Sequence, residues 1–162
     1  MNKITLDPLD LRLLAQLQRD ASLSNQALAA EVHVATATTH RRVRRFHALG
    51  LIERVVAQLS PQRLADSGLP QLHALLEVTL DVQTSESLDA FEARAVADAS
   101  VQQCWRVSPG PDFMLVVGVR DMEAYQAFTA RLLTADANVR NVRAFFSIKR
   151  AKFGSELPLP AR

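Results

Sequence analysis

Residues 36–50 read Thr36-Ala37-Thr38-Thr39-His40-Arg41-Arg42-Val43-Arg44-Arg45-Phe46-His47-Ala48-Leu49-Gly50. At about 100° per residue, Thr39, Val43, Phe46 and Leu49 fall on one side of a helix. Arg41, Arg44 and Arg45 fall on the other, with Ala37, Thr38 and Ala48 between them and Arg42 at the flank. Gly50 suits the left-handed residue that ends a helix. The spacing predicts a helix from about Thr36 to Leu49 with one side for packing and one basic side.

Upstream, Asp7 reads as an N-cap and Pro8 as a first helical residue. Leu9, Leu13, Leu14 and Leu17 recur at helical spacing as far as Asp20. Ser24 reads as the cap of a second helix carrying Leu28 and Val32. Three short helices with a basic third one form the pattern of a helix-turn-helix. Small residues early in the third helix permit close approach to a major groove, and the arginines can hold base edges and phosphates. The arginine fork matches both targets. His40 and His47 lie on the border between the two faces and read as partly buried polar filler, with DNA contact as the alternative. Leu51–Leu59, β-branched and apolar, reads as a short strand or wing hairpin.

Pro61–Pro70 reads as a linker. Beyond it, Leu72, Ala74, Leu76, Val78, Leu80 and Val82 alternate as in a strand with one apolar face. Ser85 or Ser87 caps a helix bearing Leu88, Phe91 and Ala95. Val101–Val107 is a strand, Ser108–Asp112 a turn, and Phe113–Val119 an apolar central strand. Asp121 caps a helix with Met122, Tyr125, Phe128 and Leu132, and Val142, Ala144, Phe146 and Ile148 alternate in a last strand. Strand, helix, strand, strand, helix, strand is the order of a ferredoxin-like sandwich. The expected architecture is α+β. It comprises a winged helix-turn-helix at 1–60, a linker at 61–70, a βαββαβ sandwich at 71–153 and a tail at 154–162.

The chain has 162 residues, 48% hydrophobic and 22% charged, the composition of a globular protein. Residues 1–60 carry eight Lys/Arg against five Asp/Glu, whereas residues 61–162 carry eleven against twelve. The basic excess therefore sits in the N-terminal part, a distribution that suits nucleic acid and also a solvated basic helix. The longest apolar run, Phe113–Val119, is too short to span a bilayer. No signal peptide is evident, and the lone Cys104 has no disulfide partner, which together suggest a cytoplasmic setting. Four histidines and one cysteine show no metal-ligand spacing. No P-loop, dinucleotide fingerprint or nucleophile elbow occurs, so no catalytic residue and no cofactor are expected.

The serial agreement of several motifs resembles the leucine-responsive regulatory protein/AsnC family, the feast/famine regulators. They are Leu6-Asp7-x-x-Asp10-x-x-Leu13-Leu14, Leu23-Ser24-Asn25-x-x-Leu28-Ala29 and Arg42-Val43-Arg44-Arg45-Phe46 through Gly50-Leu51-Ile52. In the second domain they are Val101–Cys104, Val107-Ser108, Asp112-Phe113 and Asp121-Met122-x-x-Tyr125. The resemblance covers nearly the whole chain. It implies a DNA-binding transcription regulator whose sandwich pairs sheet to sheet into dimers, with tetramers or octamers built from them. It also implies a small effector, such as an amino acid, held between dimers. The DNA-binding residues expected on this basis are Ser24, Asn25, Thr36, Ala37, Thr38, His40, Arg41, Arg42, Arg44 and Arg45, acting on a palindromic operator in double-stranded DNA. The effector residues carried over are Arg106, Ser108, Pro109, Gly110, Pro111, Asp112, Met122, Phe145, Phe146 and Ser147.

Two departures from the family pattern stand out. Its turn usually reads Gly-Asp-Tyr/Phe-Asp-Tyr, where this chain has Pro109-Gly110-Pro111-Asp112-Phe113. Asp112 remains as a partner for an effector's ammonium or as a turn-capping carboxylate. The usual serine before the third helix is missing, which leaves the cap to Thr36. Two other readings compete. Some haem-biosynthesis decarboxylases share this architecture, although His73 is the only histidine in the second domain. An assembly or sensing module without DNA binding is the third, and retention of all four arginines argues against it.

Overall fold

The computed structural model describes residues 4–160, which fall into two compact units. One comprises the chain up to Gln58 together with the tail from Lys152; the other runs from Leu59 to Ala151.

The first unit is built on helices α1 (Pro8–Arg19), α2 (Asn25–Glu31) and α3 (Thr36–Ala48). α1 opens on a reciprocal cap: the Asp10 amide donates to Asp7 Oδ1 at 2.8 Å, and the Asp7 amide donates to Asp10 Oδ2 at 3.1 Å. Two of the orphan amides of the first turn are thereby satisfied. Ser24 caps α2 by accepting from the Ala27 amide. The turn into α3 places His33 at φ 55°, and the Val34 amide reaches back to the Ala29 carbonyl. This is a helix stop of the kind glycine usually provides, here made by a residue with a Cβ. The cap of α3 departs from expectation. Thr36 is already helical, the capping position belongs to Ala35, and no side chain bonds there. At the other end Gly50 takes φ 67° and the Leu51 amide bonds to the Phe46 carbonyl. Leu13, Leu28, Val32 and Phe46 are buried at the centre, and Leu51 and Ile52 pack on them.

Beyond Ile52 the expected wing strand is not formed among the described residues. Residues 53–59 run without a ladder partner, and Val55, Val56 and Leu59 are exposed. β-branched residues favour a strand only where a neighbour supplies the hydrogen bonds and the packing. The tail returns to this unit. The Leu157 amide donates to Gln18 Oε1 at 2.7 Å and Gln18 Nε2 donates to the Leu157 carbonyl, a two-way clasp on the end of α1.

In the second unit the segment expected to be a bare linker contains helix α4 (Pro61–Asp66). Ser60 accepts from the Arg63 amide and Pro61 stands at the first helical position, so the local cap is strong enough to wind one short helix. The sheet consists of β1 (Leu72–Leu80), β2 (Val101–Arg106), β3 (Phe113–Val119) and β4 (Val139–Phe146) in the order β2-β3-β1-β4, all neighbours antiparallel. Helices α5 (Ser85–Ala97) and α6 (Met122–Thr129) complete the βαββαβ order. α5 is capped by Thr84, whose hydroxyl oxygen accepts the Ser87 amide, rather than by Ser85 or Ser87. α6 continues into a π-helical turn at Ala130–Thr134, where Leu132 and Leu133 are both buried. Ala74, Leu76, Val78 and Leu80 of β1 and Phe113, Leu115, Val117 and Val119 of β3 point into one core with Phe91, Ala95, Tyr125 and Phe128. The opposite sheet face presents Leu75 of β1, Met114 and Val116 of β3, Trp105 of β2 and Phe145 of β4. Leu75, Trp105 and Phe145 are exposed there.

Candidate nucleic-acid interface and effector loop

α3 presents two distinct polar surfaces. Ala37, His40, Arg41, Arg44, His47 and Ala48 are exposed, and their spacing of three and four places them on one continuous stripe. His40 and His47 therefore lie exposed at the surface, not partly buried as their border position predicted. The other surface faces the start of α1. Arg42 Nη1 lies 2.6 Å from both Asp7 Oδ2 and Asp10 Oδ1. Arg45 Nη1 lies 3.1 Å from Asp10 Oδ2, while its Nη2 donates to the Thr5 carbonyl at 2.9 Å.

Asp10 is the centre of this arrangement. Its side chain is 1% exposed and accepts from both arginines and from the Asp7 amide. A buried carboxylate is tolerated when it is paired and fully hydrogen-bonded. The Arg42 guanidinium beside Asp7 holds that carboxyl below the usual carboxylate range, with the Asp10 amide adding to the effect. A cleft of about 240 Å³ lined by Asp7, Arg41, Arg42 and Arg45 opens beside the cluster. Thr36 and Ala37 are exposed and Thr38 half-buried at the start of α3; Ser24 and Asn25 are exposed at the start of α2.

The effector residues carried over from the resemblance fall into two groups. Ser108–Asp112 form the turn between β2 and β3, with Ser108-Pro109 cis and Gly110 at φ 122°. Asp112 closes this turn: its amide donates to the Val78 carbonyl and its carbonyl accepts the Val107 amide. Its Oδ2 accepts the Leu80 amide at 2.7 Å and Gln83 Nε2 at 3.2 Å. Arg106 turns toward α5, with Nη2 at 2.7 Å from Asp89 and 2.8 Å from Glu92, over the Phe113 ring. Met122, Phe145, Phe146 and Ser147 lie at the far end of the sheet. β3 leads from the turn to α6 over seven residues, roughly 20 Å at strand rise. Phe146 pairs with Ala74, near the start of β1, while Asp112 touches its end. One protomer therefore does not gather these ten residues into one pocket.

Phe146 packs inward, edge-on to Tyr125 at 4.9 Å; Phe145 faces out beside Arg143. A cleft of about 360 Å³ between α6 and β4 is lined by Tyr125, Thr129, Thr134, Arg140 and Asn141 among others, and by none of the ten. No sequence signal pointed to it, because its walls come from two elements that meet only in the fold. His73 is half-buried, and burial together with the charge of Arg150 pushes its imidazole pKa down. Among the described residues no cluster of potential metal ligands occurs, and no helix is long and apolar enough to cross a membrane.

Residues 6–47 match the family model of the AsnC-type helix-turn-helix domain, and residues 73–157 match that of the Lrp/AsnC ligand binding domain. The chain is 34% identical over 154 residues to the Bkd operon transcriptional regulator of Pseudomonas aeruginosa, covering 95% of this chain and 98% of that protein. It is 32% identical to the leucine-responsive regulatory protein of Rhizobium meliloti, covering 93% and 94%. Among solved structures, a transcriptional regulator of Neisseria meningitidis in complex with L-Met superposes with a TM-score of 0.81 at 25% identity, covering 95% of this chain and 97% of that one.

Proposed function

The chain belongs to the Lrp/AsnC family of transcriptional regulators, and from that premise we propose a homo-oligomeric regulator that reads a palindromic operator and answers to an amino acid. DNA binding by the helix-turn-helix, ligand modulation through the α+β domain and the absence of enzymatic activity come with the family. The haem-decarboxylase reading is set aside because the relatives are transcription regulators.

The observation that carries the operator reading is the exposed stripe of α3, small at Ala37 and basic at Arg41 and Arg44. One such helix reads only a few base pairs; two of them about one DNA turn apart, roughly 34 Å, read a two-fold symmetric site. The exposed apolar sheet face of Leu75, Trp105 and Phe145 supports a dimer made by sheet pairing. The division of the ten effector residues between two sheet ends supports a pocket completed by more than one protomer, with tetramers or octamers as the assemblies that would create it. The L-Met complex of the Neisseria relative supports an amino acid as the ligand. No other cofactor is proposed, and the setting is cytoplasmic, where DNA and free amino acids are both available.

The test is fluorescence anisotropy of the full chain on the duplex upstream of its own coding sequence, with and without each amino acid, alongside sedimentation velocity. Binding at least a thousandfold tighter than to unrelated DNA, and a shift in affinity or sedimentation with one class of amino acid, are expected. A monomer that binds all duplexes equally refutes the reading.

A further inference from the structure

The four arginines of α3 look alike in sequence, and the structure separates them into pairs. Arg42 and Arg45 stand three apart on the surface facing α1, and each is tied to Asp10, with Arg42 also tied to Asp7. Two guanidinium groups and two carboxylates cancel, so this quartet adds no net charge to the helix surface. Arg42 is only 20% exposed, and withdrawing it to reach a phosphate would take from the buried Asp10 carboxylate its shorter ion pair, leaving the 3.1 Å contacts of Arg45 and the Asp7 amide. Arg45 is committed at both terminal nitrogens, one on Asp10 and the other on the Thr5 carbonyl. Arg41 and Arg44 are exposed on the stripe that also carries Ala37 and His40.

We propose that Arg41 and Arg44 are the arginines of α3 that contact DNA, and that Arg42 and Arg45 are positioning residues that set the pitch of α3 against α1 through Asp10. The inference rests on the DNA-binding reading and assigns its residues. In it, the net cationic count of the recognition helix is two per protomer. Asp10, a helix-start carboxylate 32 residues before Arg42, helps to determine specificity without touching DNA. The neutral quartet holds the helix at a fixed angle, which decides which base edges the first turns meet.

The experiment compares full-length wild type with Arg41→Ala, Arg44→Ala, Arg42→Ala and Arg45→Gln by anisotropy over a salt series, on the operator and on an unrelated duplex. Loss of a phosphate contact lowers the magnitude of the slope of log K against log salt by about 0.9 per contact. Arg41→Ala and Arg44→Ala should each show that loss, or, where the arginine reads a base, a loss of operator preference of about tenfold or more. Arg42→Ala and Arg45→Gln should keep the wild-type slope while the ratio of operator to unrelated binding falls at least threefold. Arg45 is half-exposed, so its variant keeps the test open if Arg42→Ala does not fold. A merely structural role would lower the active fraction and leave both slope and ratio unchanged, which overturns the positioning assignment. A slope that falls with Arg42 or Arg45, or one unmoved with operator preference intact after loss of Arg41 and Arg44, overturns the division. Wild type that fails to bind either duplex at low salt overturns the underlying DNA-binding reading and the inference with it.

Discussion

Asp112 can be a structural cap or a ligand group, and the two roles separate in one measurement. Asp112→Ala removes the acceptor of the Leu80 amide, which lies 2.7 Å away on a fully buried residue, and of Gln83 Nε2 at 3.2 Å. The backbone bonds of Asp112 to Val78 and Val107 survive the substitution. A hydrogen bond to a charged acceptor contributes about 1.5–3 kcal/mol. Asp112 itself is half-buried, and the expected cost is about 1–2 kcal/mol. The unit from Leu59 to Ala151 has the size for which each kcal/mol moves the midpoint by about 4–8 °C. Calorimetry should therefore show its transition falling by about 4–16 °C, with the helical unit unmoved. Asp112→Asn keeps a carbonyl oxygen and should lose under about 1 kcal/mol. A midpoint for Asp112→Ala within 1 °C of wild type, combined with loss of the response to an effector, would refute capping and make Asp112 a ligand group.

Three further outcomes follow from single features. Thr39 is fully buried in α3 and its hydroxyl finds no partner; Thr39→Val should stabilise the helical unit by about 1 kcal/mol, read as a higher urea midpoint. His33 is exposed at φ 55°. The left-handed backbone costs a Cβ-bearing residue about 1–2 kcal/mol, and glycine's extra chain entropy offsets about 0.5–1, so His33→Gly should gain roughly 0.5 kcal/mol in the same assay. The Arg131 guanidinium holds the Asp98 carboxyl below its ordinary range against the opposing effect of burial. A depressed carboxylate stabilises the fold fully above its unfolded value, about 3.9, and that share is lost as pH falls through the folded value. The stability difference between wild type and Arg131→Gln, read from their urea midpoints and under about 1 kcal/mol near pH 6 because Arg131 is half-exposed, should therefore shrink toward pH 2; a difference constant with pH excludes this origin.

Local chemistry was legible wherever one segment decided its own structure. The leucines of α1, the Ser24 cap, the Gly50 stop and the alternation of β1 and β3 all depend on neighbours a few residues away. What depended on distant partners was not legible. A helical wheel assigns Arg42 and Arg45 an angle, but it does not say that Asp7 and Asp10 fill the adjoining space; two acids at the start of α1 were the only hint. Val55 and Val56 have strand propensity, yet among the described residues no strand pairs with them. The Ser60-Pro61 cap was visible and outweighed by the polar, glycine-containing text after it, which conceals α4. Adjacent hydroxyl residues at 84–87 made the cap of α5 ambiguous by one position. The effector residues were transferred by resemblance, as positions of a motif. Their separation to two ends of a sheet is a property of topology, which a linear motif does not carry.

The Gln18–Leu157 clasp joins residues 139 positions apart, and this has a consequence for the order in which the protein is made. Synthesis proceeds at roughly 5–20 residues per second, so the partner for Gln18 emerges about 7–28 s after α1 itself. During that interval the three-helix core around Phe46 can form, but the end of α1 stays bare until the entire sandwich has been translated. A fragment cut after Gln58 preserves that nascent state permanently. The helix-turn-helix unit of the finished molecule is discontinuous in the gene, closed by codons that lie beyond those of the four-stranded sheet.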